Sequence, residues 1–164
     1  MLKFNKIIFR LIFLAVIAAV SSACFLLIPE VHYVLPDGYV GMFKIILDES
    51  NGIDVQRANW RYAYEIPPDG ILRVKSFAPF HNWHETKASY KNGSKVLTED
   101  SSVKDDVIAL RDIGTRERGG YPVTMTLVIG TAKQVSYTAQ QMQADYKFDE
   151  IPPMVFNERL KQIK

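Results

Sequence analysis

The chain has 164 residues and a formal charge of +2, but three of its basic residues, Lys3, Lys6 and Arg10, precede a long uncharged run. Beyond that run 17 basic residues stand against 18 acidic ones, a net charge of −1, with no Lys/Arg cluster among aromatics, which excludes nucleic acid as an expected partner. At 48% hydrophobic and 12% aromatic the composition is that of a folding chain, and a single cysteine, Cys24, excludes an internal disulfide or a cysteine-rich metal site.

The first element is the segment 1–29. Its n-region is positive, Leu11 to Ile28 carries no charge, and Pro29 ends it. Extended back through Ile7, Ile8 and Phe9, the run reaches the roughly 20 residues that a helix needs to cross a bilayer. The pattern is that of an export or anchoring signal with its positive end cytoplasmic and the chain from about residue 30 outside. Three outcomes stay open. An uncleaved transmembrane signal anchor is favoured by length. Cleavage as a simple signal peptide after Ala23 is a second. The third resembles a bacterial lipoprotein signal, with Leu11 to Val20 as the apolar region and Cys24 as the lipidated first mature residue.

After Pro29 the apolar pattern alternates. Val31 to Val34 and Tyr39 to Leu47 read as strands, with Gly41 marking a bulge or a close backbone approach. Asp48 to Gly52 reads as a turn. "WRYAYEI" sets Trp60, Tyr62, Tyr64 and Ile66 on one face and polar or small residues on the other, the mark of a half-buried strand. Ile71 to Ser76 follows, with Leu72 and Val74 inward. Asn92-Gly93 predicts a type I′ hairpin between His84–Tyr90 and Lys95–Thr98. Val107 to Ile113 fits either a strand or a capped helix, strand being preferred. Gly114 to Gly120 reads as a mobile loop and Val123 to Gly130 as a buried strand.

The tail changes in kind. Thr138 to Phe148 is polar with helical spacing, and Pro152-Pro153 introduce a short helix with Phe156, Leu160 and Ile163 on one stripe. So short a helix must dock on something, and the domain's own sheet is the expected partner. The stretch "LPDG" (Leu35 to Gly38) returns as "PPDG" (Pro67 to Gly70), and in each the proline fixes φ and ends the preceding strand, so both read as corners of the fold. The expected organisation is a signal or anchor at 1–29, a domain at 30–137 and a helical extension at 138–164. The fold class expected is mainly β, an antiparallel β-sandwich with a short C-terminal helix.

The blocks "VLPDGYVGMFKIILD", "YEIPPDGILRVKS", "WHETKASYKNG" and "VIGTAKQ" resemble, in that order, an uncharacterised family of bacterial envelope and lipoprotein-like domains that begin Pro-Asp/Glu-Gly-Tyr-x-Gly. The resemblance covers about residues 31 to 135 and implies an envelope location without implying an activity. The Tyr-x-Tyr-x-Ile-Pro segment is similar to strand-turn units of transthyretin-like β-sandwiches, which bears on fold alone.

No Gly-x-Ser-x-Gly elbow, Ser-x-x-Lys signature or phosphate loop occurs, and the carboxylate pairs are adjacent in polar segments, so a non-catalytic domain without a cofactor is expected. The stretch "FAPFHNWHE" holds the best binding candidates. Phe77, Phe80 and Trp83 could stack on a sugar or dock an envelope protein, or fold back onto their own core. His81 and His84, with Glu85 and His32, could meet a metal only if the segment is a loop or helical turn. An interaction or scaffold module is the preferred reading. A carbohydrate- or metal-binding domain using Phe77 to Glu85 is the alternative.

Overall fold

The computed structural model describes residues 28–99, 103–119 and 121–163. The expectations for Cys24 and for nearly all of the segment 1–29 fall outside the described residues. Among those described, no helix is long and apolar enough to cross a membrane.

The chain is mainly β, built as two mixed sheets. The first has five strands in the order β3 (Arg57–Ala58), β4 (Arg61–Glu65), β1 (Glu30–Leu35), β6 (Glu85–Tyr90), β7 (Lys95–Val96). The second has four, in the order β5 (Ile71–Val74), β2 (Gly41–Leu47), β9 (Tyr121–Gly130), β8 (Ala109–Arg118). Alternation decides which side chains turn inward: Val31, Tyr33 and Leu35 of β1 are buried while Glu30, His32 and Val34 lie on the other face. One core takes Tyr33, Leu35, Tyr64 and Ala88 from the first sheet and Phe43, Ile45, Leu72, Val74, Leu127 and Ile129 from the second.

The sheets are mixed and not antiparallel throughout as expected: of the seven strand pairings among the described residues, four are antiparallel and three parallel. β1 pairs in parallel with both β4 and β6, and β2 in parallel with β5. The two Pro-Asp-Gly stretches explain it: each carries the chain from the first sheet into the second, β1 to β2 and β4 to β5, so the second unit lies beside the first in the same direction. Bonds from Ile66 N–H to Val34 O and from Lys44 N–H to Gly70 O, both 2.8 Å, stitch the corners together. Side-chain alternation is identical for either direction, so period alone could not tell them apart. The two turns also differ. Tyr39 N–H closes on Pro36 O at 3.1 Å, whereas Gly70 N–H closes on Pro67 O at 2.9 Å, putting Gly38 at a central position and Gly70 at the fourth.

The Asn92-Gly93 hairpin forms, but only Gly93 has positive φ, +87°. Tyr90 and Ser94 pair around a three-residue loop, a type I turn followed by a glycine bulge, instead of the expected type I′. Positive φ at two successive residues occurs instead at Asn59 (50°) and Trp60 (65°), the tip of the β3–β4 hairpin. Trp60 is therefore 43% exposed and stacked under Arg57, whose guanidinium lies 3.8 Å from the ring, not in the core with Tyr64 and Ile66. The expected loop at Gly114–Gly120 is largely strand: β8 runs to Arg118 and absorbs irregularities between Asp112 and Gly114 and between Arg116 and Arg118 as bulges. The preferred strand over Val107 to Ile113 is present from Ala109.

The far face of the second sheet is covered by helices. The helix α2 (Ala132–Ala144) starts at Ala132, before the expected Thr138, because Thr131 and Gln134 form a reciprocal capping box. A 3-10 turn (Phe148–Glu150) and α3 (Pro153–Leu160) follow. Phe156 and Leu160 of α3 are buried with Phe148 against Met42 and Val128 of the sheet. The terminal helix therefore docks on the protein's own sheet.

Candidate functional site

The segment Phe77 to His84 closes one end of the space between the sheets. Ser76 Oγ accepts from Ala78 N–H at 3.1 Å and Pro79 suits a first turn, so the chain makes the single helical turn α1 (Ala78–His81). The turn splits the aromatic residues. Phe77 is 5% exposed, and Phe80 packs edge-on to it at 5.4 Å and on Tyr64 at 5.1 Å. Trp83 points out and is 80% exposed. His81 is exposed, while His84 is half-buried beside Phe80 with its Nδ1–H donating to Asn82 O at 2.8 Å. His32 lies on the outer face of the first sheet. Among the described residues no three His, Cys, Asp or Glu side chains are grouped to hold a metal ion.

Two clefts border the aromatic residues around Phe80. Tyr33 and Tyr64 are register partners on β1 and β4, with ring centroids 6.0 Å apart, and each lines one of them. A cleft of about 330 Å³ has Tyr33, Phe80, Leu110 and Leu127 with His84, Asp112 and three threonine hydroxyls around them. Here the Tyr33 hydroxyl reaches only Met125 Sδ, at 3.9 Å, and burial, with the charge of Asp112, pushes the phenol far above its ordinary value. Asp112 is open to water on one side, yet the protein around it raises its carboxyl pKa against the opposing bond from Gly114 N–H and the field of His84. The other cleft, about 270 Å³, is lined by Asp54, Gln56, Arg57, Tyr64, Ser76 and Pro79. The Tyr64 hydroxyl is buried and has no hydrogen-bond partner.

Of the five candidates in this segment, two serve the core, His84 joins the rim of a cleft, and His81 and Trp83 face solvent. Sequence reasoning missed Asp112, the two tyrosine-lined clefts and three charge clusters, two of them built on a buried cation. Lys44, 1% exposed, donates to Phe148 O (2.9 Å), Asp149 O (3.1 Å) and Ile151 O (3.0 Å). Burial lowers its pKa to about 8 against the pull of Asp149. Arg111, 2% exposed, pairs with Glu99 and donates to Lys104 O at 3.3 Å. A charge inside an apolar run, as in "MFKIIL" and "IALRDI", was the available signal: such a residue must find partners on the sheet's second face.

The third cluster has the composition of a catalytic triad. His32 Nε2 is 2.9 Å from Ser89 Oγ and its Nδ1 is 3.3 Å from Glu30. Yet Ser89 sits mid-sheet, paired with Val34 on one side and Lys95 on the other, so the ladder occupies the backbone groups that an oxyanion would need. Glu30 is also bound by Arg61 (2.5 Å) and Lys87 (2.6 Å). Its burial opposes the charge, but the bonds from Lys87 and His32 and the positive charge of Arg61 outweigh that and hold its carboxyl below the ordinary range. The arrangement is a cross-strand lock on the sheet face.

No family model matches the chain, and no curated protein matches it. Among solved structures, a protein from Bacillus anthracis described as a "putative lipoprotein" is similar over 61% of this chain and 68% of its own, at 12% identity and a TM-score of 0.38. A likeness of that size carries no argument about fold or function.

Proposed function

We propose that the chain is a membrane-attached, non-catalytic interaction module of the bacterial cell envelope, with its β-domain, a two-sheet sandwich, outside the membrane and Trp83 at the contact surface. The attachment rests on the three basic residues followed by the uncharged run from Leu11 to Ile28, which leads through Pro29 directly into β1. The contact surface rests on one observation: Trp83 is 80% exposed on a segment whose neighbours Phe77 and Phe80 are fixed in the core. An aromatic ring held outward on a rigid support loses little freedom on binding.

In fractionated cells the full chain is expected with the membrane and its domain accessible to external protease; recovery in the cytosol overturns the attachment. Cys24→Ser separates the two kinds of anchor, releasing the protein only if the cysteine carries the lipid. A photo-crosslinking residue at position 83 is expected to give discrete adducts that one at position 154, exposed on α3 over the far face of the second sheet, does not give. Identical patterns at both positions overturn the docking role.

A further inference from the structure

We propose that the end of the domain where β1 begins is a membrane-facing surface, built on Trp60 and Trp83, which lies in the boundary layer of the lipid to which the chain is attached. The inference rests on the attachment proposed above and gives the contact surface at Trp83 its partner. Pro29 alone separates Ile28, the last residue of the uncharged run, from β1, and the two peptide steps from Ile28 to Glu30 span about 7 Å at most. If Cys24 carries the lipid instead, the residues in between, Phe25 to Ile28, are apolar and favour the bilayer over water. Either anchor draws this end of the domain against the lipid headgroups.

What this end presents follows from the parallel register. Glu30 N–H donates to Trp60 O at 2.8 Å on one side of β1, and Pro29 O accepts from Glu85 N–H at 3.0 Å on the other. β4 and β6 therefore begin level with β1, and Trp60 and Trp83, just ahead of them, flank the point where the chain enters. Both indoles are exposed. Trp60 holds its positive φ at the second central position of a hairpin turn, where glycine is the unstrained choice, and its ring shares a hollow of about 470 Å³ with Ile28. The Arg57 guanidinium stacked on that ring brings a positive charge to it. Indoles, each an apolar body with one polar N–H, concentrate at the boundary between membrane and water, and a guanidinium there meets lipid phosphate. The carboxylates at this end are offset, Glu30 by Arg61 and Lys87 and Glu85 by Lys87 at 3.2 Å. A surface that touches rings on both sides of the entry point must also surround the chain as it leaves the domain, which a bilayer does and a folded partner does only if notched for it.

Because Trp60 and Trp83 are the chain's two tryptophans, its indole emission reports this surface alone. The purified full chain is reconstituted into phosphatidylcholine vesicles, floated on a density gradient, and read with lipid brominated either on the acyl carbons nearest the headgroup or near the chain end. Both indoles are expected to lose emission to the shallow bromine and less to the deep one, in the parent and in each of Trp60→Phe and Trp83→Phe, which leave one indole apiece. A chain that floats while brominated lipid quenches neither indole, or only one, overturns the shared face and leaves the attachment standing; that is the result a protein-facing surface gives. Stronger quenching by the deep bromine overturns it as well, since rings at that depth are not in the boundary layer. A chain that does not float overturns the attachment, and this face with it.

Discussion

Asn157 holds the main chain of Met42 with both ends of its amide: Oδ1 accepts from Met42 N–H at 2.6 Å and Nδ2 donates to Met42 O at 3.1 Å. The approach is open only because residue 41 is glycine; a Cβ there would meet the Asn157 amide at 2.4 Å, on a backbone with φ +128°. The Tyr39 hydroxyl donates to the same carbonyl at 2.6 Å, and burial pushes that phenol up to about 12. Asn157→Ala should cost about 1–3 kcal/mol, the range for stranding a buried polar group. Gly41→Ala should cost about 2–4 kcal/mol, strain and overpacking together. Urea unfolding of both variants and of the double checks this: because the two share one contact, the double variant should lose less than the sum.

Lys44 makes the second prediction. Lys44→Met removes the donor shared by three carbonyls and should destabilise by roughly 3–5 kcal/mol, the range for breaking a buried charge network. The pH dependence follows from its lowered pKa. Below about pH 8 Lys44 is protonated in both states, so its burial cost is constant. Between about 8 and the ordinary 10.4 the unfolded chain holds more protons, so this contribution to stability rises with pH. The rise is ~3 kcal/mol at most, and the three carbonyls, which favour the charged form, reduce it. Urea midpoints at pH 7.5, 9 and 10.5 should show the difference between parent and Lys44→Met smallest at pH 7.5 and widening in the parent's favour at the two higher values.

Glu30 predicts behaviour in acid. Its carboxyl pKa is lowered in the folded state, so its stabilisation is fully present above the ordinary carboxylate value and is lost as pH falls through the lower, folded one. Glu30→Gln should flatten the acid limb of the stability curve while leaving the alkaline limb in place. An unchanged acid limb would show that Arg61, Lys87 and His32 do not act on this carboxylate.

The aromatic segment should divide energetically as it divides in space. Phe80→Ala removes a ring packed on Phe77 and Tyr64 and should cost about 2–4 kcal/mol. Trp83→Ala, at 80% exposure, should stay within about 0.5 kcal/mol. Equal losses in thermal denaturation would mean that Trp83 packs on the domain and is no contact residue.

The sequence by itself determined the strands and their inward faces, because alternation of apolar side chains is a local property of a pleated chain. Tyr64, Ile66, Leu72, Val74, Leu127 and Ile129 are all in the core. It also placed the two Pro-Asp-Gly corners, offered a close approach as one of two readings of Gly41, and named the stripe of α3, of which Phe156 and Leu160 are buried while Ile163 lies beyond the helix and is half-buried. Only the tertiary structure decided strand direction, since β1 and β4 have the same period whether they run parallel or opposed. Turn type was decided there too: the positive φ values went to Asn59 and Trp60, whose indole is stacked under Arg57, and took Trp60 out of the core. The clefts were beyond the sequence for a related reason. Tyr33 and Tyr64 become neighbours only through the parallel register, and Phe80 meets Tyr64 only because one helical turn directs it inward and leaves Trp83 outside. Local pattern fixes which way a side chain faces; what it meets there depends on segments far apart in the chain, and no periodicity records that.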